Sequence, residues 1–266
     1  ELQLHVEEVR AALAKRKQER LDAIRRSMAE LAAAGVKPRP LPYAPERTNW
    51  GGEAGAGRQG PLAGCCAPGS ATRKRVAVGK VPKRDLDKLG ERGEAWALAA
   101  VVRPLEALLE DNHGAFEEAI LALRQLLTCH WEGKAVEALL PHAERALDGS
   151  LSADERLDEL AAFLHLSAMS DGFGCDMLGW LPPHEGAAAR ALALEVKAST
   201  ARSFLVSDHE WEVAAQVAAE YAFLVVRRSG GKVIAMDLLP DPRALPDHAI
   251  RCDPDTWRVA YSAQEG

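Results

Sequence analysis

The spacing of hydrophobic residues divides the chain into a helical first part and a strand-rich final part. Residues 1–34 lack glycine and proline and carry apolar residues at helical intervals, which predicts one long helix. We expect this N-terminal helical arm to be either a coiled coil that docks on a partner or an amphipathic helix that belongs to a neighbouring domain. Its apolar positions are Val6, Val9, Leu13, Ile24, Met28 and Leu31.

Residues 35–84 are predicted to be a linker that begins rich in proline and glycine and ends basic. Four prolines lie between positions 38 and 45 and six glycines between 51 and 64, so no regular helix is expected there. Lysine and arginine then cluster between 73 and 84. This cluster either follows a DNA backbone or is a solvated end of the linker.

The remaining residues, 85–266, are predicted to form one α/β domain. Its first helix runs through Glu94 to Leu109, and three further helical patterns follow before any strand. Because these three patterns separate the first helix from the strands, we expect a helical subdomain inserted at about 110–169. The patterns lie near 114–129, 132–147 and 152–169, and the last opens with a capping box of Ser152 and Glu155.

Strand patterns begin after residue 170 with a predicted β-hairpin. Segments at about 174–181 and 190–198 have strand-like alternation, and the residues between them suffice for a loop. On the second strand the leucines and valine share one face, which we expect to lie on the core. Glu195 and Lys197 share the opposite face.

The hairpin also predicts a pair of neighbouring carboxylates. Antiparallel pairing would set Asp176 beside Glu195, and such carboxylates repel each other unless a cation lies between them. Asp176 and Glu195 are therefore predicted to be oxygen ligands of a divalent metal, with Lys197 beside a reacting phosphate or water. By itself, the pattern is equally compatible with a solvated strand face that carries an ion pair.

The segments after the hairpin predict a helix between strands. Ser207 and Glu210 form a capping box that opens this helix. An uninterrupted apolar run at 222–226 then predicts a buried strand. The other predicted strands are 203–206, 233–239 and a final edge strand at 257–261.

Five short motifs follow one another in a specific order within residues 85–240. They are Gly90–Glu94, Gly174–Asp176, Glu195–Lys197, Phe204–Trp211 and Tyr221–Arg228. In this order they resemble the family of protein NO VEIN C-terminal domains, in the PD-(D/E)XK nuclease-like superfamily that also contains Mrr-type restriction enzymes. The resemblance implies a restriction endonuclease-like α/β core, a mixed sheet flanked by helices, here with an inserted helical subdomain and an N-terminal helical arm.

The resemblance also implies roles for particular residues. In the superfamily the aspartate and the glutamate bind Mg²⁺ and the lysine assists hydrolysis, which corresponds to Asp176, Glu195 and Lys197 in this chain. Mn²⁺ would be an alternative metal. A glutamate of the first helix joins the site in some members, which corresponds to Glu94. This chain departs from the minimal core in the long insertion between Glu94 and Asp176.

The function implied by the resemblance is that of a metal-dependent DNA endonuclease domain. Such a domain would hydrolyse phosphodiester bonds and work with a helicase or translocase ATPase in restriction or anti-phage defence. The alternative is a catalytically inactive nuclease-fold module that binds nucleic acid or protein. A third possibility, a scaffold built on the helical segments, would require the Asp–Glu–Lys grouping to be a coincidence.

Composition limits these functions without choosing among them. The net charge of −6 is unfavourable for a freestanding DNA-binding domain, so either basic residues cluster locally or a partner holds the DNA. The five cysteines form no Cys-x-x-Cys pair, which favours a reducing cytoplasm over a disulfide or zinc framework. No signal peptide and no long apolar run are present, so neither export nor a membrane partner is expected.

Overall fold

The computed structural model describes residues 2–40, 76–77, 88–183, 188–200, 203–241, 250–253 and 256–260. The helices are α1 (Leu2–Ala34), α2 (Lys88–Asp111), α3 (His113–His130), α4 (Lys134–Leu147), α5 (Ala153–Leu164) and α6 (Asp208–Val217). The strands are β1 (Pro38–Pro40), β2 (Val76–Ala77), β3 (Trp131–Glu132), β4 (Met177–Leu181), β5 (Arg190–Ser199), β6 (Ser203–Val206), β7 (Tyr221–Ser229), β8 (Lys232–Pro240), β9 (Ile250–Asp253) and β10 (Thr256–Ala260).

A mixed five-stranded sheet organises the domain, with strand order β1-β8-β7-β5-β4. The β1–β8 and β5–β7 pairs are parallel, whereas the β4–β5 and β7–β8 pairs are antiparallel. Helix α2 packs on one face of the sheet and helix α6 on the other. The prediction of a mixed sheet flanked by helices is therefore confirmed at this level of detail.

A glycine allows α2 to lie close to the sheet. A β-carbon at Gly93 would be only 2.7 Å from the β-carbon of Ala198 on β5, so a larger residue would push the helix away. Every residue from Trp96 to Val102 is buried, because α2 is covered by the sheet and by neighbouring helices. Glu94, which follows Gly93, is thereby held near the sheet.

An aromatic cluster attaches α6 to the opposite face. Trp211 stacks on Phe223 of β7 with ring centroids 6.1 Å apart, and Phe204 of β6 lies 5.1 Å from the same ring. The predicted capping box of Ser207 and Glu210 is present and begins the helix. The N-terminal end of α6 therefore lies at the sheet surface.

The inserted helical segment is present as α3, α4 and α5, but its last helix is shorter than predicted. Helix α5 ends at Leu164 instead of extending to residue 169. His165 forms a β-bridge with Met177, and the Ser167 N–H donates to the Asp176 carbonyl at 2.9 Å. These long-range hydrogen bonds replace the next helical turn, which local sequence could not reveal.

The N-terminal helix differs from the expected separate arm. Leu21, Ile24 and Leu31 are buried in the same hydrophobic core as the sheet. Arg20 pairs with Asp158 of α5 at 2.7 Å, and the indole N–H of Trp96 donates to Glu30 at 2.6 Å. The second half of α1 is thus part of the domain because its apolar stripe is covered by α2 and α5.

Two short pieces of the predicted linker form strands. Pro38–Pro40 pairs with the outer side of β8, where a proline is tolerated because the solvent side of an edge strand needs no N–H donor. Val76–Ala77 pairs with β3. Residues 41–75 and 78–87, which include every lysine and arginine of the basic cluster, lie outside the described residues.

The final strand is not at an edge, contrary to the prediction. β10 lies between β6 and β9 in a second, three-stranded antiparallel sheet. Its two flanking strands supply hydrogen bonds on both sides, and the second flanking strand was not recognised from the sequence. Among the described residues, no helix is long and apolar enough to cross a membrane.

Candidate metal-binding site

The β4–β5 hairpin places Asp176 against the middle of β5. Met177 pairs with Leu194, and Asp176 directly precedes this pair. The Asp176 N–H donates to the Leu194 carbonyl at 2.9 Å, and the Val196 N–H donates to Asp176 Oδ2 at 2.7 Å. Asp176 is therefore fixed to the β5 backbone on either side of Glu195, by its own backbone N–H at Leu194 and by its carboxylate at Val196.

The two faces of β5 differ as the strand period predicts. Leu192, Leu194 and Val196 are buried. Glu195 lies on the other face, where its register partner on β7 is Phe223, the residue that stacks on α6. Glu195 is only 5% exposed, which is unusual for a carboxylate and requires charge compensation.

Lys197 supplies part of that compensation. Its Nζ lies 2.7 Å from Glu195 Oε1 and 2.8 Å from Glu210 Oε2. Burial alone would lower the pKa of Lys197, but the two carboxylates outweigh this effect and raise the pKa above its usual value. Lys197 is therefore held as a charged ammonium, which can stabilise negative charge but cannot act as a base.

Glu210 is a member of this cluster that sequence reasoning missed. Its carboxylate was recognised only as half of the capping box. Burial would raise the pKa of Glu210, but the Lys197 ammonium and the hydrogen bonds lower it. The capping motif indicates where α6 begins, and only the packing of α6 on β7 shows that the cap faces Lys197.

Burial and neighbouring carboxylates disfavour the ionised forms of Asp176 and Glu195. Burial, followed by the charge of Glu94, raises the pKa of Asp176 to about 7, although the Val196 N–H and Lys197 oppose the shift. Burial and the neighbouring Asp176 raise the pKa of Glu195 well above its usual value. A cation bound between the two carboxyls would remove this conflict.

Glu94 reaches the same cluster from α2. Its Oε2 atom lies 3.3 Å from His165 Nε2 and 3.3 Å from Ser167 Oγ, and its side chain is 13% exposed. The segment that follows α5 therefore carries the chain back past Glu94 to Asp176. The inserted helices lengthen the sequence between Glu94 and Asp176 but do not separate the two residues in space.

The carboxylates of Asp176 and Glu195 are the candidate ligands of a divalent cation. Among the described residues, no group of three or more His, Cys, Asp or Glu side chains that could hold a metal ion is found. Asp176 Oδ1 has no hydrogen-bond partner in the described part of the chain. Carboxylate oxygens are the ligands that Mg²⁺ prefers, usually one or two of them together with water and substrate phosphate. Asp176 and Glu195 would be the two carboxylates of such a site.

Comparison of the chain with protein-family models, with curated proteins and with solved structures finds no match. The resemblance to NO VEIN C-terminal domains therefore stays a prediction from the sequence motifs. Any functional assignment depends on the chemistry of the cluster formed by Glu94, Asp176, Glu195 and Lys197.

Proposed function

We propose that this chain is a metal-dependent DNA endonuclease domain with a PD-(D/E)XK-type core, which hydrolyses phosphodiester bonds. The observation that carries the proposal is the attachment of the Asp176 carboxylate to the Val196 N–H at 2.7 Å. This hydrogen bond brings the aspartate of β4's leading end to the strand that carries the glutamate and the lysine, so the three form one largely enclosed cluster. The order of helix, hairpin, helix and strand also supports a PD-(D/E)XK-type core.

Each residue of the cluster has a role that follows from its charge. Asp176 and Glu195 would hold Mg²⁺ or Mn²⁺ through carboxylate oxygens. The metal would supply a more acidic water and a positive charge beside the phosphate. Lys197, held as an ammonium, would stabilise the negative charge that develops on the phosphoryl oxygens. Glu94 would add to the negative potential that attracts the cation.

The biological setting is proposed on the resemblance alone. It is a restriction-type or anti-phage defence system of the cytoplasm in which a helicase or translocase ATPase delivers the DNA. The net charge of −6 supports a partner that holds the nucleic acid, because an acidic surface repels the phosphate backbone.

Plasmid cleavage tests the proposal. We expect Mg²⁺-dependent cleavage that EDTA abolishes and that Lys197→Ala lowers by at least about a hundredfold, because one stabilising charge is lost from the transition state. Lys232→Ala is the matched control, since Lys232 is exposed at the start of β8 and its replacement should leave the rate unchanged. Equal cleavage by wild type and Lys197→Ala would contradict the assigned mechanism.

A second candidate function is a non-cleaving module of the same fold that binds nucleic acid or protein. The observation in its favour is that Lys197 already has two carboxylate partners, one of which is the proposed ligand Glu195. In that case the ammonium acts in place of a metal and the cluster is structural. DNA binding without cleavage in either Mg²⁺ or Mn²⁺, and without any effect of these ions on thermal unfolding, would favour this function.

A further inference from the structure

Glu210 makes two contacts with different roles: one caps helix α6, and the other reaches Lys197 of the proposed active site. The Ser207 N–H donates to Glu210 Oε2 at 2.9 Å, which closes the capping box of α6. The same Oε2 atom accepts from Lys197 Nζ at 2.8 Å. A helix-capping residue thus contacts the proposed active site directly, through its lysine.

A second capping box in the chain shows that the two contacts are separable. Ser152 and Glu155 form the same reciprocal hydrogen bonds at the start of α5. Within the described ranges, the Glu155 carboxylate contacts Ser152 and has no lysine or arginine within ion-pair distance. Capping therefore does not require the lysine contact that Glu210 makes.

Lys197 has two carboxylate partners although one would balance its charge. Glu195 is one partner and is also a proposed ligand of the divalent cation. A cation bound to Glu195 would repel the ammonium and weaken that ion pair. The Lys197 side chain is only 16% exposed, so an ammonium that lost its sole partner would be strongly destabilised.

We propose that Glu210 is a positioning residue that keeps the Lys197 ammonium in place when a divalent cation occupies Glu195. This inference rests on the proposed nuclease function and adds a residue to it. The capping box fixes Glu210 Oε2 before any cation arrives, so the lysine has a partner in both states. Lys197 then remains directed at the phosphate and does not compete with the cation for Glu195.

Glu210→Gln tests the inference, and Glu155→Gln is its matched control. Glutamine also closes a capping box, so both variants keep the cap while only Glu210→Gln removes a charge from Lys197. The full chain is titrated with Mn²⁺ by calorimetry and assayed for plasmid cleavage. Lysines are also labelled with an amine-reactive ester, with and without Mn²⁺, and the labelling rate of Lys197 is read by mass spectrometry.

The positioning role predicts a specific combination of results. In Glu210→Gln, kcat should fall by about tenfold or more while KM for DNA changes by less than about twofold, because the loss concerns the transition state. Mn²⁺ should accelerate the labelling of Lys197 in this variant only. In wild type and in Glu155→Gln, Lys197 should label slowly with and without Mn²⁺.

The outcomes distinguish failure of the inference from failure of the proposed function. If wild type binds Mn²⁺ and cleaves DNA, and Glu210→Gln matches it in kcat and labelling, the positioning role is wrong and the nuclease function stands. If wild type neither binds Mn²⁺ nor cleaves, both are wrong. If wild type binds Mn²⁺ without cleaving, the labelling comparison alone supports or overturns the role of Glu210.

Discussion

Two hairpins of the main sheet each carry an aspartate, fully buried at Asp237 and partly buried at Asp176, and the two aspartates are compensated differently. Asp237 of the β7–β8 hairpin is fully buried and accepts from Arg227 Nε at 2.6 Å and from Arg39 Nη2 at 3.4 Å. Asp176 of the β4–β5 hairpin accepts from a backbone N–H at 2.7 Å. Among the described residues it has no lysine or arginine within ion-pair distance.

The difference indicates which aspartate holds the fold together and which remains available to a ligand. Two guanidinium groups balance the charge of Asp237, so this aspartate stabilises the sheet. Asp176 instead lies near Glu94 and Glu195, and its pKa is raised to about 7 mainly by burial and by the Glu94 charge. A partly buried carboxyl whose ionised form is disfavoured by its surroundings is a candidate functional group, because a bound cation would stabilise the carboxylate.

The largest expected effect is on stability, from removing the compensated aspartate. Asp237→Asn should lower the free energy of unfolding by about 3 kcal/mol, because it leaves the partly buried Arg227 without its anion. Urea denaturation at pH 8 measures this. Asp176→Asn is the paired variant and should not lower the free energy of unfolding, since asparagine can still accept from Val196. Equal destabilisation by both variants would remove the distinction between the hairpins.

The second expected effect is a loss of stability as the pH rises in the absence of metal. Between pH 4 and pH 7 the folded protein retains a proton on Asp176 that the unfolded chain has released, because the folded pKa is about 7 and the ordinary pKa of an aspartate is 3.8. Raising the pH through this range therefore lowers the free energy of unfolding. We expect a decrease on the order of 2 kcal/mol after allowance for partial solvent access.

Asp176→Asn and divalent cations provide the comparison for this pH effect. The variant should lose less stability than wild type between pH 4 and pH 8 when both are measured with EDTA. Mg²⁺ should stabilise wild type at pH 8 more than the variant, because ligands that bind the folded state shift unfolding by mass action. A pH profile identical in the two proteins would show that Asp176 is not the group that titrates.

The smallest expected effect concerns the Ser167 hydroxyl, which donates a hydrogen bond to Glu94. Ser167→Ala removes one hydrogen-bond donor from Glu94 and should lower the plasmid cleavage rate about fivefold, or about 1 kcal/mol. Ser150→Ala is a suitable control, since that hydroxyl donates to Asp148 on an exposed turn. Cleavage by Ser167→Ala at the wild-type rate would place Glu94 outside the functional cluster.

Part of this site could be predicted because it depends on strand geometry. A period of two residues puts Glu195 and Lys197 on one face whatever the rest of the fold does, and a hairpin loop brings Asp176 to the same strand. The capping boxes at Ser152 and Ser207 were likewise predicted, because each uses residues only three positions apart.

Other parts of the site depend on contacts between distant segments. Glu210 meets Lys197 because Trp211 packs on Phe223, and no local pattern encodes that orientation of α6. His165 and Ser167 meet Glu94 because α5 ends early and joins the β4 edge. The second half of α1 also appeared to be an arm, since its apolar stripe does not indicate which surface covers it.

By itself, the sequence determined the types of the six described helices and of the long strands, the two faces of β5 and the starts of α5 and α6. These features follow from interactions within a few residues along the chain, where backbone geometry allows few alternatives. Only the tertiary structure decided that Glu94 and Glu210 join Asp176, Glu195 and Lys197, and that Asp237 is balanced by arginines while Asp176 is not. The reason is that charge compensation in a low-dielectric interior depends on distances between atoms that the sequence order leaves open.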